Sequence, residues 1–236
     1  FRTLRSLIKS ITRAQEVLDN INYKLIITDT NSSLEDIKNI KSILANSKIE
    51  NKFVSVDLSK FKNKIKTGYS KAKFSNMANF YNSLLITKEE EGDVIYFVED
   101  DYIHDLNAIT EMTLSYEKFS TMFDSDVVLL PSDYPYLYTK DDFTRIYLGE
   151  KSHWRLVSES LVSFMTSKKL ILDNFENIEK MGIEWIDPWE KPLHDIYKKN
   201  PCLSPLPSLA YHCANVNSVF GVSPNINLKK LWDENS

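Results

Sequence analysis

The chain has 236 residues, 42% of them hydrophobic, which is enough to fill a substantial core and excludes disorder and peptide-scale folds. Its 29 basic and 33 acidic side chains give a formal charge of −4, with lysines interspersed among acids. That balance argues against a nucleic-acid partner held by charge, although it is compatible with a local basic patch.

Leu4, Leu7, Ile8, Ile11, Ala14, Val17 and Leu18 recur at helical spacing, so residues 1 to about 20 are expected to form a helix. Phe1 opens the chain inside that amphipathic pattern, which suggests that a natural N-terminal piece precedes it. Tyr23 to Asp29 reads as a strand running into a loop, and Ser33 with Asp36 as the start of a helix carrying Ile37, Ile40, Ile43 and Leu44. Phe53 to Asp57 is a second strand. After a basic segment from Lys60 to Lys73, Met77, Phe80, Tyr81, Leu84 and Leu85 mark a helix from Phe74 to Ile86. Val94 to Val98 is apolar at every position, the pattern of a strand covered on both faces, and is the expected centre of the sheet. Val127 to Leu130 is a fourth strand. Beyond Tyr134 the alternation weakens, leaving helices from about Ser167 to Lys180 and from Pro192 to Lys198. The last segment, from Pro201, is proline-rich and expected to wrap the surface.

Helices alternating with apolar strands predict an α/β fold with a mostly parallel sheet sandwiched by helices. The chain reads as a single domain, with residues 1–133 forming one half and 134–236 an acceptor-side half and tail. Two cysteines, Cys202 and Cys213, cannot build a disulfide framework, which favours a reducing, cytoplasmic setting. No stretch is long and apolar enough to be read as a membrane span, so peripheral association is the membrane mode left open, and oligomeric state is unspecified.

Five glycines, all widely separated, cannot build a P-loop or a GxGxxG turn, and CxxC, HExxH and GxSxG motifs are missing. Four strands instead end in carboxylates: Asp29, Asp57, the Glu99-Asp100-Asp101 triplet and Asp133. In open α/β sheets ligands bind outside the carboxyl ends of the strands, so these acids are expected to converge on one edge. Three adjacent acids repel one another unless a cation or donors neutralise them. A hard divalent ion needs only one or two carboxylates when a diphosphate supplies the remaining oxygens, which points to Mg²⁺ or Mn²⁺ with a nucleotide-diphosphate substrate; a solvated acidic turn is the alternative.

The strand into Thr28-Asp29-Thr30-Asn31-Ser32, the basic segment, the helix, and then Gly92-Asp93 with an apolar strand into Glu99-Asp100-Asp101 resemble the nucleotide-sugar half of GT-A glycosyltransferases. The triplet is similar to that family's variable DXD motif. Trp185-Ile186-Asp187-Pro188-Trp189 resembles the Asp-Asp-Trp segment of an N-acetylglucosaminyltransferase of this group, with Pro188 replacing the second Asp. Tyr211-His212-Cys213 falls where many members place a late histidine. The family's usual first strand would lie before Phe1.

The resemblance implies a metal-dependent transfer of a hexosyl or N-acetylhexosaminyl group from a nucleotide sugar, a UDP-sugar first, to a saccharide hydroxyl. It gives metal coordination to Asp101, ribose or metal contact to Asp100, and hydrogen-bond acceptance from sugar or backbone to Glu99. Asp29 would contact base or ribose, or else cap a helix. Lys73 and Asn76, with Lys71, would contact uracil or phosphate, or face solvent. An inverting transfer needs a general base. Asp187 leads, because flanking tryptophans would desolvate it, with Glu190 and Glu159 as alternatives and a turn-capping role as its structural counterpart. Neutral His212 would complete the metal shell. Tyr134, Trp185 and Trp189 are expected to line the acceptor pocket, against ordinary core packing. Two other readings stay open: a metal-dependent nucleotidyltransferase or phosphoesterase, and a non-catalytic carbohydrate-binding domain of the same fold.

Overall fold

The first helix, α1 (Arg2–Val17), buries Leu7, Ile11 and Ala14 together with two serines. The Ser6 and Ser10 hydroxyls accept the backbone N–H groups of His104 and Ile109, so this helix is fixed by polar as well as apolar contacts. The computed structural model describes residues 1–139, 141, 143–213 and 226–236. In chain order there follow β1 (Lys24–Asp29), α2 (Leu34–Ala45), β2 (Glu50–Ser55), α3 (Lys71–Glu89), β3 (Val94–Phe97), β4 (Tyr102–His104), α4 (Ala108–Phe123) and β5 (Val128–Leu129). The second half adds β6 (Ile146–Leu148), β7 (His153–Leu156), β8 (Phe164–Ser167), the short helices α5 (Lys168–Asp173), α6 (Phe175–Ile178), α7 (Lys180–Ile183) and α8 (Lys191–Tyr197), then β9 (Cys202–Leu206), β10 (Ala210–His212) and α9 (Leu228–Asp233).

The chain is mixed α/β and forms two compact units, each discontinuous in sequence. The first comprises Phe1–Asn22, Tyr96–Ser167 and Tyr197–Ser236; the second comprises Tyr23–Ile95 and Lys168–Ile196.

In the first unit α4 lays Ala108, Met112, Tyr116 and Phe119 against Val127, Leu129, Trp154, Met165 and Leu203 of the sheet. The six-stranded sheet runs β3-β8-β5-β9-β7-β6. The expected predominance of parallel pairing is corrected here. β5 and β9 are parallel, but β5–β8, β7–β9 and β6–β7 are antiparallel. The antiparallel β6–β7 ribbon is joined by a tight turn, a connection that needs no crossover helix. Gly149 begins that turn, where a Cβ would collide with the Trp154 indole and the Ser115 hydroxyl.

Two further expectations fail for related reasons. Val94 to Val98 is not the centre of this sheet, because β3 is its terminal strand and Val94 is 41% exposed. An unbroken apolar run records partial cover on both faces, not the number of strand neighbours. The segment from Pro201 does not wrap the surface at its start: β9 is an inner strand with Cys202 to Pro205 buried. Pro205 is tolerated because it faces Trp154, while the Val157 N–H bond to the Cys202 carbonyl makes alternate β7–β9 pairs the bonded ones. The missing proline N–H therefore points away from β7, beyond the point where β5 stops pairing. Residues 214–225 of that segment lie outside the described residues.

In the second unit β1 and β2 pair in parallel, from Lys24 opposite Glu50 to Asp29 opposite Ser55. Ser33 caps α2, accepting from Asp36 N–H at 3.1 Å as the sequence suggests, and Ser70 caps α3. The core gathers Val56, Phe61, Ile65, Met77, Ala78 and Tyr81. The helix expected from Ser167 to Lys180 is instead broken into α5, α6 and α7, with the Asn174 side chain donating to the Leu170 carbonyl at the first break.

Candidate functional site

The acidic triplet follows β3, and Asp101 stands immediately before β4. β4 pairs antiparallel with β10, so that Tyr102 faces His212 across the ladder. The next residue, Cys213, donates its N–H to the Asp101 carbonyl at 2.7 Å. This register brings two distant sequence positions together: His212 Nε2 lies 2.9 Å from Asp101 Oδ2. The other carboxylate oxygen, Asp101 Oδ1, is buried and has no hydrogen-bond partner among the described residues. The bond to Asp101 raises the His212 pKa, partly offset by burial.

The His212 ring is held from one side by Tyr102, stacked at 5.0 Å and 27°. Tyr102 and Tyr134 share a buried hydroxyl–hydroxyl bond of 2.7 Å, and burial pushes both phenols up. Tyr134 is thus a support for Tyr102, 5% exposed, and its ring is enclosed in the structure. Glu99 and Asp100 are exposed, and the Glu99 N–H donates to Ser163 at 3.1 Å.

The strand-end acids expected to converge on one edge have different partners in the structure. Asp133 is neutralised by Arg155, which donates Nε and Nη2 to its Oδ1 at 3.0 and 2.8 Å, while Tyr138 donates to Oδ2. Asp57 caps the 3-10 turn Leu58–Phe61 through Ser59. Asp29, at the end of β1, accepts from the Ser32 N–H and hydroxyl and so closes its own turn.

The remaining candidates belong to the second unit. Along α3, Asn79 donates to the Thr28 carbonyl, Ser83 bonds the Thr28 hydroxyl, and Ser75 accepts from Asn31, so a polar helix face meets the end of β1. Lys73 and Asn76 are exposed near the start of that helix. Lys73 Nζ sits 4.1 Å above the Trp185 ring, and Trp185 stacks on Trp189 at 5.2 Å and 8°. The Trp185 N–H donates to the Tyr69 hydroxyl, and Trp189 Nε1 to the Met181 carbonyl. Both faces of Trp185 are therefore covered, one by an indole and the other by an ammonium group. Asp187 is exposed, whereas Glu190 is half-buried and burial raises its pKa, with Asp187 adding to the rise.

No protein-family model matches the sequence, and no curated protein matches it. Among solved structures, the chain is similar to the apo form of a UDP-glucose pyrophosphorylase. The superposition covers 89% of this chain and 81% of that one, at 9% identity and a TM-score of 0.46.

Among the described residues no group of three or more His, Cys, Asp and Glu side chains is placed to hold a metal ion. Asp101 and His212 are the candidate pair brought together, and carboxylate oxygen and imidazole nitrogen are donor types that divalent cations accept. A buried carboxylate oxygen without a donor is costly, and a cation would satisfy it.

Sequence reasoning missed the supports of the site. Tyr102 adjoins the triplet, and its stacking partner lies 110 positions later, so no local spacing reveals it. Ser163 carries no motif at all. His104, at the other end of β4, hydrogen-bonds Tyr96 at 3.0 Å, and burial lowers its pKa to about 4. With a folded pKa below the unfolded value of 6.5, its neutral form stabilises the fold above about pH 6.5. That contribution, about 3 kcal/mol, is expected to be lost as pH falls towards 4. Urea midpoints measured across this range should decline in the wild type and flatten in His104→Gln; equal slopes would show that His104 does not govern this transition.

Proposed function

We propose that the protein is a metal-dependent glycosyltransferase that moves a hexosyl or N-acetylhexosaminyl group from a UDP-sugar to a saccharide hydroxyl. The observation that supports this most is the Asp101 carboxylate, with one oxygen against an imidazole and the other buried without a donor among the described residues. Oxygen and imidazole ligands together suit Mn²⁺, and carboxylate oxygens alone suit Mg²⁺. In this reading Asp101 and His212 hold the ion. When bound, it offsets the charge that develops on the departing diphosphate.

The chain's own residues do the rest. Tyr102 fixes the plane of the His212 ring, and Tyr134 fixes Tyr102 through its hydroxyl. Glu99 and Asp100, both exposed, accept hydroxyl donors of sugar and ribose. Asp29, Lys73 and Asn76 bind the nucleoside and its phosphates, and Trp185 and Trp189 contribute apolar edges to the acceptor. The general base is Asp187 or Glu190. Burial raises the Glu190 pKa, the direction that favours a proton acceptor, and an inverting transfer would use it.

A thermal-shift screen of nucleotide sugars with and without Mn²⁺ tests this reading. One UDP-sugar together with Mn²⁺ is expected to raise the melting temperature by about 5 °C or more at saturation, and neither alone should do so. No response to any donor would remove the proposal. Pyrophosphate release from UTP and a sugar phosphate, without transfer to a saccharide, would replace it with nucleotidyl transfer.

A further inference from the structure

The segment from Lys60 to Lys73 contains six lysines and no acid, and all six are exposed. It is not a loose tail. Phe61 and Ile65 are buried in the core of the second unit, at 4% and 3% exposure. The Lys64 and Ile65 N–H groups bond the Phe61 carbonyl, and the Lys66 N–H bonds Ile183. The apolar residues thus anchor the backbone while Lys60, Lys62, Lys64 and Lys66 face solvent. Lys71 and Lys73 follow in the first turn of α3, whose N-terminal dipole end adds positive potential.

Few opposing charges answer this group. Lys66 pairs with Glu184 at 2.5 Å, and Lys60 and Lys62 act on Asp57 at longer range. Lys64 and Lys73 lie over the rings of Tyr81 and Trp185. Six like charges on one anchored segment repel one another, so the face is complementary to an extended field of negative charge.

We propose that this face docks on an anionic bilayer surface. Three features favour a lipid surface over other anions. Every cation is a lysine, a hydrated point charge that answers a diffuse field, and none is an arginine with the planar fork suited to one phosphate or base edge. The lysines spread along an exposed segment without converging on a cavity. The neighbouring Trp185 ring is already covered by Trp189 and Lys73, which leaves no open face there for a stacked base. The face shares Lys73 with the nucleotide contacts proposed above, and the vesicle test leaves that residue unchanged.

Co-sedimentation of the full chain with vesicles tests it, comparing phosphatidylcholine alone with phosphatidylcholine carrying about one-third phosphatidylglycerol. Binding is expected to the anionic vesicles only, and to weaken at least about tenfold between about 0.1 M and about 0.5 M salt. The variant Lys60→Glu, Lys62→Glu, Lys71→Glu should lose roughly a hundredfold in vesicle affinity. The variant Lys38→Glu, Lys41→Glu, Lys48→Glu, with the same change in net charge, should retain most of it. All the substituted positions are exposed, and circular dichroism would verify that both variants fold. Equal loss in the two variants, equal binding to neutral vesicles, or no vesicle binding would each overturn the proposal. So would binding of a single-stranded oligonucleotide that needs the same three lysines while vesicles are ignored.

Discussion

Asp101→Asn is expected to lower the rate of sugar transfer by about a thousandfold or more, with the fold intact. The amide keeps the volume of the carboxylate but removes the charge proposed to hold the cation. The backbone bond from Cys213 to the Asp101 carbonyl does not depend on the side chain, so β4 and β10 stay paired. His212→Gln should cost less, about ten- to a hundredfold, because in the proposed site the imidazole would complete a shell that Asp101 begins. Steady-state rates at saturating Mn²⁺ and donor give the comparison. Near-wild-type turnover in Asp101→Asn would show that the carboxylate is not part of the reaction.

Glu111→Ala is expected to be the most destabilising single substitution outside the site. Glu111 is buried at 4% exposure on α4, and its carboxylate accepts from Ser115 Oγ, the Lys151 and Ser152 N–H groups and Trp154 Nε1, at 2.9–3.2 Å. It ties the helix to the β6–β7 turn. Truncation removes the acceptor of three N–H donors and a hydroxyl, of which the Trp154 and Ser115 groups are fully buried, each buried group costing about 1–3 kcal/mol if unmet. Allowing for water entry, the net loss is about 4 kcal/mol, or a melting temperature about 10 °C lower. Glu111→Gln retains one acceptor oxygen and should lose about half as much. A urea midpoint for Glu111→Ala within about 1 kcal/mol of the wild type would contradict this account of the buried carboxylate.

Glu111 also shows what the sequence hides. A glutamate at helical spacing reads as a solvated surface charge, and only its distant partners, supplied by the turn at Gly149, make it a buried anchor. Elements whose signal is local were legible: the apolar stripe of α1, the Ser33 cap, the strands β1 and β5, and Pro192 in the first turn of α8. Elements whose identity depends on remote neighbours were not. The strands of the second half are short, several are buried on both faces, and one contains Pro205, so neither alternation nor composition marks them as a sheet. The site divides in the same way. The triplet stood out because three adjacent acids are costly to fold without a counter-charge, and the structure sets one of them, Asp101, 2.9 Å from His212. The partner of Asp133 was hidden, because Arg155 sits 22 residues further on in a strand without a signature. Tyr134 was expected at an acceptor surface, where aromatic rings with polar rims are common, yet its hydroxyl is used inside the protein.

Electron paramagnetic resonance of Mn²⁺ added to the protein, with and without UDP, tests the central claim most directly. The account predicts an immobilised ion in the presence of UDP, with hyperfine coupling to a histidine nitrogen that disappears in His212→Gln and an ion signal that reverts to free Mn²⁺ in Asp101→Asn. A spectrum of free Mn²⁺ at saturating UDP, or a bound ion indifferent to both substitutions, would contradict it.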